Sequence, residues 1–262
     1  MFGVWKPRLV ALDLDGTLVA PDESVPIDVA EAVRAASAAG AHVVLATGRG
    51  WHATRWVHDL LGLPAGPHVC SNGAVVVEYP PQRIIEKTTF DAREIVERVA
   101  REHPHCLLGT EIVGEGYLVS RAFPEGELGG DVQVVPLERL WAHPATRVIV
   151  RDPNGSDADF IDLAGRLGLA GVTYSIGYTA WLDIAPEGVT KATGLAYVAE
   201  RLGVDPADVL AVGDGRNDIE MLAWAGRGVT FADSPPEVLA AAVDVTAPFV
   251  EGGTADELRL WF

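Results

Sequence analysis

Short apolar runs alternate with helically spaced segments at both ends of the chain. Leu9-Val10-Ala11-Leu12, Val43-Val44-Leu45-Ala46 and His68-Val69-Cys70 each read as a buried strand. Between them, Val29, Val33 and Ala36 recur at helical spacing up to Gly40, and residues 51–61 are periodic until Gly62 and Pro64 stop them. This β-α-β-α-β order predicts a parallel sheet with crossover helices. The character then changes. Residues 74–79 and 83–89 read as extended pieces joined through Pro80-Pro81, and Asp91 is placed to cap a helix to about His103. Short strands and Gly- and Pro-rich connections fill residues 106–150, with 147–151 strand-like. A helix capped by Ser156 or Asp157 runs to Leu167, and strands follow at 172–176 and 181–184. From Gly188 the alternation returns: a helix from Thr190 or Lys191 with Leu195, Val198, Ala199 and Leu202 on one face, then the strand Val209-Leu210-Ala211-Val212. A short helix at 219–224, a strand at 228–231, a helix opened by Ser234-Pro235-Pro236, a strand at 243–246 and a helix at 254–261 complete the pattern. The pattern predicts an α/β fold: a Rossmann-like parallel-sheet core from residues 1–81 and 186–262, with an α+β module, residues 82–185, inserted into it.

Three of the apolar strands end in polar groups. The first runs into Asp13-Leu14-Asp15-Gly16-Thr17, the second into Thr47-Gly48-Arg49, and Val209-Leu210-Ala211-Val212 into Gly213-Asp214-Gly215-Arg216-Asn217-Asp218. Open α/β sheets bind ligands beyond the carboxyl ends of their strands, so these groups share one edge. Lys191, at a helix start, is a fourth element. Taken singly, each has a plain explanation. Asp-Gly is a common turn, Asp218 could cap a helix, Thr47-Gly48 could be a strand-to-helix turn, and most lysines are solvated. Their joint occurrence in this order favours chemistry.

Composition narrows the partners. The 262 residues are 48% hydrophobic and 22% charged, as in an ordinary globular protein. No apolar run reaches the ~18–20 residues that cross a bilayer, and residues 1–8 lack the apolar segment of a signal peptide, so a cytoplasmic protein is expected. The net charge of −17 repels nucleic acid and anionic membranes. It also repels a phosphorylated substrate, so a phosphate site here needs a local cation. Cys70 and Cys106 match no metal spacing and are expected to be reduced and buried.

The four elements resemble those of the haloacid dehalogenase (HAD) superfamily of phosphohydrolases. Asp13-Leu14-Asp15-Gly16-Thr17 matches its first motif, Thr47 its second, Lys191 its third, and Asp214 with Asp218 its fourth. Leu45-Ala46-Thr47-Gly48-Arg49, Ser71-Asn72-Gly73-Ala74, Gly188-Val189-Thr190-Lys191 and Asn217-Asp218-Ile219-Glu220-Met221-Leu222 are similar to the Cof-type subfamily, whose α/β (type IIB) cap lies between the second and third motifs. The resemblance implies a Mg2+-dependent phosphatase of a small phosphorylated metabolite, a sugar phosphate or similar. Asp13 would be the nucleophile, forming an aspartyl-phosphate, and Asp15 the general acid and base. Mg2+ would be held by Asp13, the backbone carbonyl of Asp15 and Asp214, with Asp218 acting through water or by orientation. Thr47 would give its hydroxyl and backbone N–H to the phosphoryl group, Gly48 its backbone, and Lys191 a fixed charge. Asn217, Arg49 and Asn72 border the site. The loop Gly228-Val229-Thr230-Phe231-Ala232-Asp233-Ser234-Pro235 departs from the family pattern, lacking its Asn. A phosphomutase of the phosphomannomutase type and a non-catalytic ligand-binding protein are the competing readings. Tyr117, Arg121, Trp141 and Tyr178 are the candidate specificity residues of the insert.

Overall fold

The computed structural model describes residues 5–154, 172–176 and 181–262. Among these, β1 (Leu9–Leu12), β2 (His42–Leu45), β12 (Val209–Val212), β13 (Arg227–Phe231) and β14 (Asp244–Thr246) form a parallel sheet in the order β14-β13-β12-β1-β2. Alternation along β1 shows why both faces are covered. Val10 and Leu12 pack with helices α1 (Ile27–Ala38) and α2 (Trp51–Leu61) and the C-terminal helix. Leu9 and Ala11 pack on the other side with the helix that begins at Lys191. The chain moves from β1 outward to β2 and returns later to β12 on β1's other side. That reversal opens a crevice at the carboxyl ends of β1, β2 and β12.

The third predicted strand does not extend this sheet as a full ladder. β3 (Gly66–Cys70) touches β2 through one parallel bridge, Ala46 to Val69. It pairs fully and antiparallel with β4 (Val75–Tyr79), which pairs with β5 (Arg83–Lys87). Two local causes are visible. The Leu45 N–H donates to the His68 ring, at Nδ1 (3.2 Å), rather than to a strand carbonyl. The chain also reverses at Ser71–Gly73, where three successive residues have positive φ.

The intervening segment has its own sheet, in the order β10-β11-β9-β6-β7-β8, formed by β6 (Leu107–Ile112), β7 (Gly116–Val119), β8 (Asp131–Val134), β9 (Val148–Arg151), β10 (Val172–Ile176) and β11 (Trp181–Pro186). Helix α3 (Arg93–Glu102) packs Val96 and Val99 against Leu108, Val148, Val150 and Leu182. Asp91 Oδ1 accepts from the Arg93 N–H (2.9 Å) at the start of α3. Arg83–Lys87, placed in the insert when its limit is set at Pro81, is joined to β4, and Tyr197 Oη donates to Ile85 O (3.0 Å). The helix expected at residues 156–167 lies outside the described residues. Among the described residues the remaining α-helices are α4 (Lys191–Leu202), α5 (Ile219–Trp224), α6 (Pro236–Ala241) and α7 (Gly253–Arg259). The fold is a mixed α/β core with a parallel sheet and a cap of additional sheet structure.

Candidate active site

The floor of the crevice is a buried cluster of charges. Asp13 follows β1, Asp214 and Asp218 follow β12, and Lys191 opens α4. Lys191 Nζ donates to Asp13 Oδ1 (2.5 Å) and to Asp218 Oδ1 (2.6 Å). Its side chain is wholly buried. The first residue of a helix is a poor place for a cation, because the helix dipole is positive there. Burial also opposes the charge, but Asp13 and Asp218 outweigh it and raise the ammonium pKa. Burial, together with Asp218, pushes the Asp13 carboxyl well above the usual range; Lys191 pulls it down, and Asp214 and Asp15 push it up again. Carboxylate oxygens of Asp13, Asp214 and Asp218 lie within 4.8 Å of one another. The cluster therefore holds more negative charge than Lys191 balances.

Backbone form creates this packing. Gly16 has φ +78°, and a Cβ there would sit 2.5 Å from Asp214 Oδ2. Thr17 Oγ1 donates to Asp214 Oδ1 (3.2 Å), while Thr17 O accepts from Thr254 Oγ1 (2.7 Å). Asp218 Oδ2 accepts from the Gly215 N–H (2.9 Å). The departing loop supports the same strand end: Thr230 Oγ1 donates to Gly213 O (2.8 Å) and shares a hydrogen bond with Ser234 Oγ (2.8 Å).

Thr47 is buried, and its Oγ1 accepts from the Arg49 N–H (3.0 Å). Its own N–H donates to Val69 O (2.9 Å), so that donor, expected to face a phosphoryl group, is committed to the fold. Asn72 ties the second and fourth motifs: its N–H donates to Thr47 O (3.1 Å), and its Oδ1 accepts from Asn217 Nδ2 (3.0 Å). Gly73 packs so tightly on the start of α4 that a Cβ would lie 1.9 Å from Thr190 O. The Ser71–Gly73 loop thus holds the lysine helix against the strand ends. Arg49 does not point at the floor. Its Nε and Nη2 donate to Asp15 Oδ2 (2.9 Å) and Oδ1 (2.5 Å), and Nη1 and Nη2 donate to Glu23 (3.0 Å each).

Above the floor is a cavity of about 730 Å³, lined by Asp13, Asp15, Gly48, Arg49, Asp214 and Asn217 from below. Tyr117, Arg147, Asp183 and Glu127 line it from the insert. Arg147 is 4% exposed. It donates through Nη1 to Gly48 O and through Nη2 to Tyr117 Oη, and Nη1 lies 3.4 Å from Asp183 Oδ1. Beside it, Glu111 accepts from Ser71 Oγ (2.6 Å) and Thr146 Oγ1 (2.9 Å). The insert is therefore hydrogen-bonded to the second-motif loop. Of the insert candidates, Tyr117 reaches the cavity. Arg121 instead donates to Pro104 O (3.0 Å) and Cys106 O (2.7 Å), Trp141 packs in the insert's core, and Tyr178 lies outside the described residues. Sequence reasoning missed Arg147, Glu111 and Asp183. The available signal was a lone Arg opening the apolar run Val148-Ile149-Val150.

The comparisons agree with this architecture. The model of the haloacid dehalogenase-like hydrolase family matches residues 10–123 and 130–258. A phosphoglycolate phosphatase of Natronomonas pharaonis is 32% identical over 252 residues, 93% of each chain. An HMP-PP phosphatase of Serratia proteamaculans is 29% identical over 238 residues, covering 88% of this chain and 86% of that one. Among solved structures, a HAD-superfamily phosphatase from Bacteroides thetaiotaomicron has a TM-score of 0.82 at 24% identity, covering 100% of this chain and 97% of that one. A HAD subclass IIB sugar phosphatase has a TM-score of 0.81 at 22% identity, covering 97% and 98%. At those identities the structural likeness speaks for the fold. Fold, motif geometry and family match together make the chain a member of the haloacid dehalogenase-like hydrolase family, and a phosphoric monoester hydrolase of that superfamily.

Proposed function

We propose that the chain hydrolyses a small phosphorylated metabolite through an aspartyl-phosphate on Asp13, with Mg2+ as cofactor. The observation that carries this reading is Lys191 Nζ bonded to both Asp13 and Asp218 at the floor of a cavity of metabolite size. Two relatives are named for phosphoglycolate and HMP-PP, both small phosphorylated compounds.

The donor set fits Mg2+. It offers hard carboxylate oxygens, and the unbalanced negative charge at Asp13 supports a cation there. Asp13, the backbone carbonyl of Asp15 and Asp214 would hold it. When bound, Mg2+ neutralises charge on the phosphoryl oxygens. Both oxygens of Asp218 already accept hydrogen bonds, which supports an orienting role.

The Asp13 carboxylate attacks phosphorus, and the ester P–O bond breaks as the Asp–O–P bond forms. Asp15 gives its proton to the leaving oxygen, then removes one from the water that hydrolyses the intermediate, releasing inorganic phosphate. Lys191 holds Asp13 in place and supplies positive charge. The Thr47 hydroxyl and the Gly48 and Asn217 amides position the phosphoryl group. Arg49 and Asn72 serve the site by holding Asp15 and Asn217. The insert supplies the roof and discriminates among leaving groups through Tyr117, Arg147 and Asp183.

The same reading divides the chain into a core and a cap, with crossings near residues 88 and 186. The pairing of β5 with β4 and the Tyr197–Ile85 hydrogen bond support the first position. Residence in the cytoplasm belongs to this proposal too; among the described residues no helix is long and apolar enough to cross a membrane.

The test is a phosphate-release screen over sugar phosphates, phosphoglycolate, nucleotides, pyridoxal phosphate and flavin phosphates, with and without Mg2+. Metal-dependent release that disappears in Asp13→Asn supports the reading. Interconversion of hexose phosphates without phosphate release, or no turnover of any ester, defeats it.

A further inference from the structure

Outside the lining of the catalytic cavity, at one end of the β6–β9 ladder of the cap sheet, lies a second group of possible ligands. His105, Cys106 and Asp152 bring a ring nitrogen, a thiol sulfur and a carboxylate oxygen within 4.8 Å of one another. We propose that these three residues bind a borderline-soft divalent cation of the zinc type, as a structural clip between the turn before β6 and the end of β9.

The local structure is built for this. Leu107 pairs with Arg151 in the antiparallel β6–β9 ladder, so the next positions outward, Cys106 and Asp152, face each other. The Cys106 N–H donates to His103 O (3.0 Å), closing a turn that swings His105 back beside them. His105 Nε2 then lies 3.3 Å from Asp152 Oδ2. The ligands are held from behind. Arg121 Nη2 donates to both Pro104 O (3.0 Å) and Cys106 O (2.7 Å), fixing the turn. Asp152 Oδ1 accepts from the Asn154 N–H (3.0 Å), which leaves Oδ2 toward the group. Such outer contacts orient metal ligands.

The chemistry agrees with the geometry. A sulfur, a nitrogen and an oxygen donor suit Zn2+ better than Mg2+ or Ca2+. A neutral imidazole, a carboxylate and a thiolate carry two negative charges, matching a dication. On coordination the thiol S–H loses its proton to solvent and the sulfur bonds the metal. The cluster takes no part in catalysis. Cys106 is five residues along the strand from Glu111, or about 17 Å, and neither His105, Cys106 nor Asp152 lines the cavity. His105 is 58% exposed in its side chain, which gives an ion access.

The test uses the full chain freed of metal and held in excess Mg2+, which occupies oxygen-donor sites. Co2+ serves as a spectroscopic probe and Zn2+ as its competitor. One Co2+ per chain with a thiolate-to-cobalt absorption band, displaced by Zn2+, is expected. The band should vanish in Cys106→Ser and persist in Cys70→Ser. His105→Ala and Asp152→Asn should each weaken binding at least about tenfold. Zn2+ should raise the melting temperature of the wild type and not of His105→Ala, a surface change that leaves the fold intact. Absence of a thiolate band, or a band and thermal shift unaltered by His105→Ala, would overturn the proposal. Neither readout depends on phosphatase activity, so failure here leaves the catalytic reading untouched.

Discussion

Lys191 Nζ lies 2.5 Å from Asp13 Oδ1 across 178 residues of sequence. The ammonium is wholly buried and bonded to a second carboxylate, Asp218. Breaking a buried pair leaves an uncompensated charge, so Lys191→Met should destabilise the fold by about 3–5 kcal/mol and abolish turnover. Urea denaturation against wild type checks the first effect; a loss under about 1 kcal/mol would mean that the two acids do not depend on the lysine.

On the proposed mechanism, Asp13→Asn keeps the shape and removes the attacking charge. Turnover should fall by several orders of magnitude while the circular dichroism spectrum stays unchanged. Near-normal hydrolysis by a folded Asp13→Asn protein would remove Asp13 from the mechanism.

Gly16 faces Asp214 with no room for a methyl group. Gly16→Ala should cost about 1–3 kcal/mol of stability through its positive φ. It should also raise the Mg2+ concentration for half-maximal activity at least about tenfold, by displacing Asp214. A metal titration of phosphate release reads this; an unchanged midpoint would take Asp214 out of the metal site.

Arg49 clamps Asp15 and is itself held by Glu23. Arg49→Ala should therefore slow esters with poor leaving groups by about 10–100-fold, with a much smaller effect on an aryl phosphate that needs little protonation. Equal losses on both esters would show that Arg49 acts on the phosphoryl group and not through Asp15.

His68 gives a pH dependence. Burial, reinforced by His58, lowers its pKa to about 3, against about 6.5 in an unfolded chain. The folded state keeps the ring neutral, so the unfolded chain takes up the proton first. Stability is whole above pH 6.5 and falls as the pH drops toward 3. In His68→Phe this dependence is gone. The stability gap between wild type and variant should narrow by about 2 kcal/mol from pH 7 to pH 5. A constant gap in urea denaturation at the two pH values would contradict the assignment.

The core strands, the helices between them and the four motifs were legible because each is a local signal. An apolar run of four residues ending in Asp13 or Asp214 marks a strand end whatever surrounds it. Arg121 and Trp141 show the limit. Both look like ligand contacts as residue types, yet one binds backbone carbonyls and the other fills the insert's core. The Thr47 N–H shows it again, since its acceptor, Val69 O, is supplied by a neighbouring strand.

By itself the sequence determined the α/β class, the polar motifs that end the core strands with Lys191 at a helix start, and the presence of an insert. Those features follow from hydrophobic period and from side-chain chemistry in chain order. The tertiary structure alone decided that Arg147 and Asp183 roof the site, that Glu111 ties the insert to Ser71, that Arg49 belongs to Asp15, that β3 turns away from the parallel sheet, and that Cys106 meets Asp152. Each depends on the register between strands or on how the insert sits over the core, and pairings between distant segments leave no periodic mark in either segment.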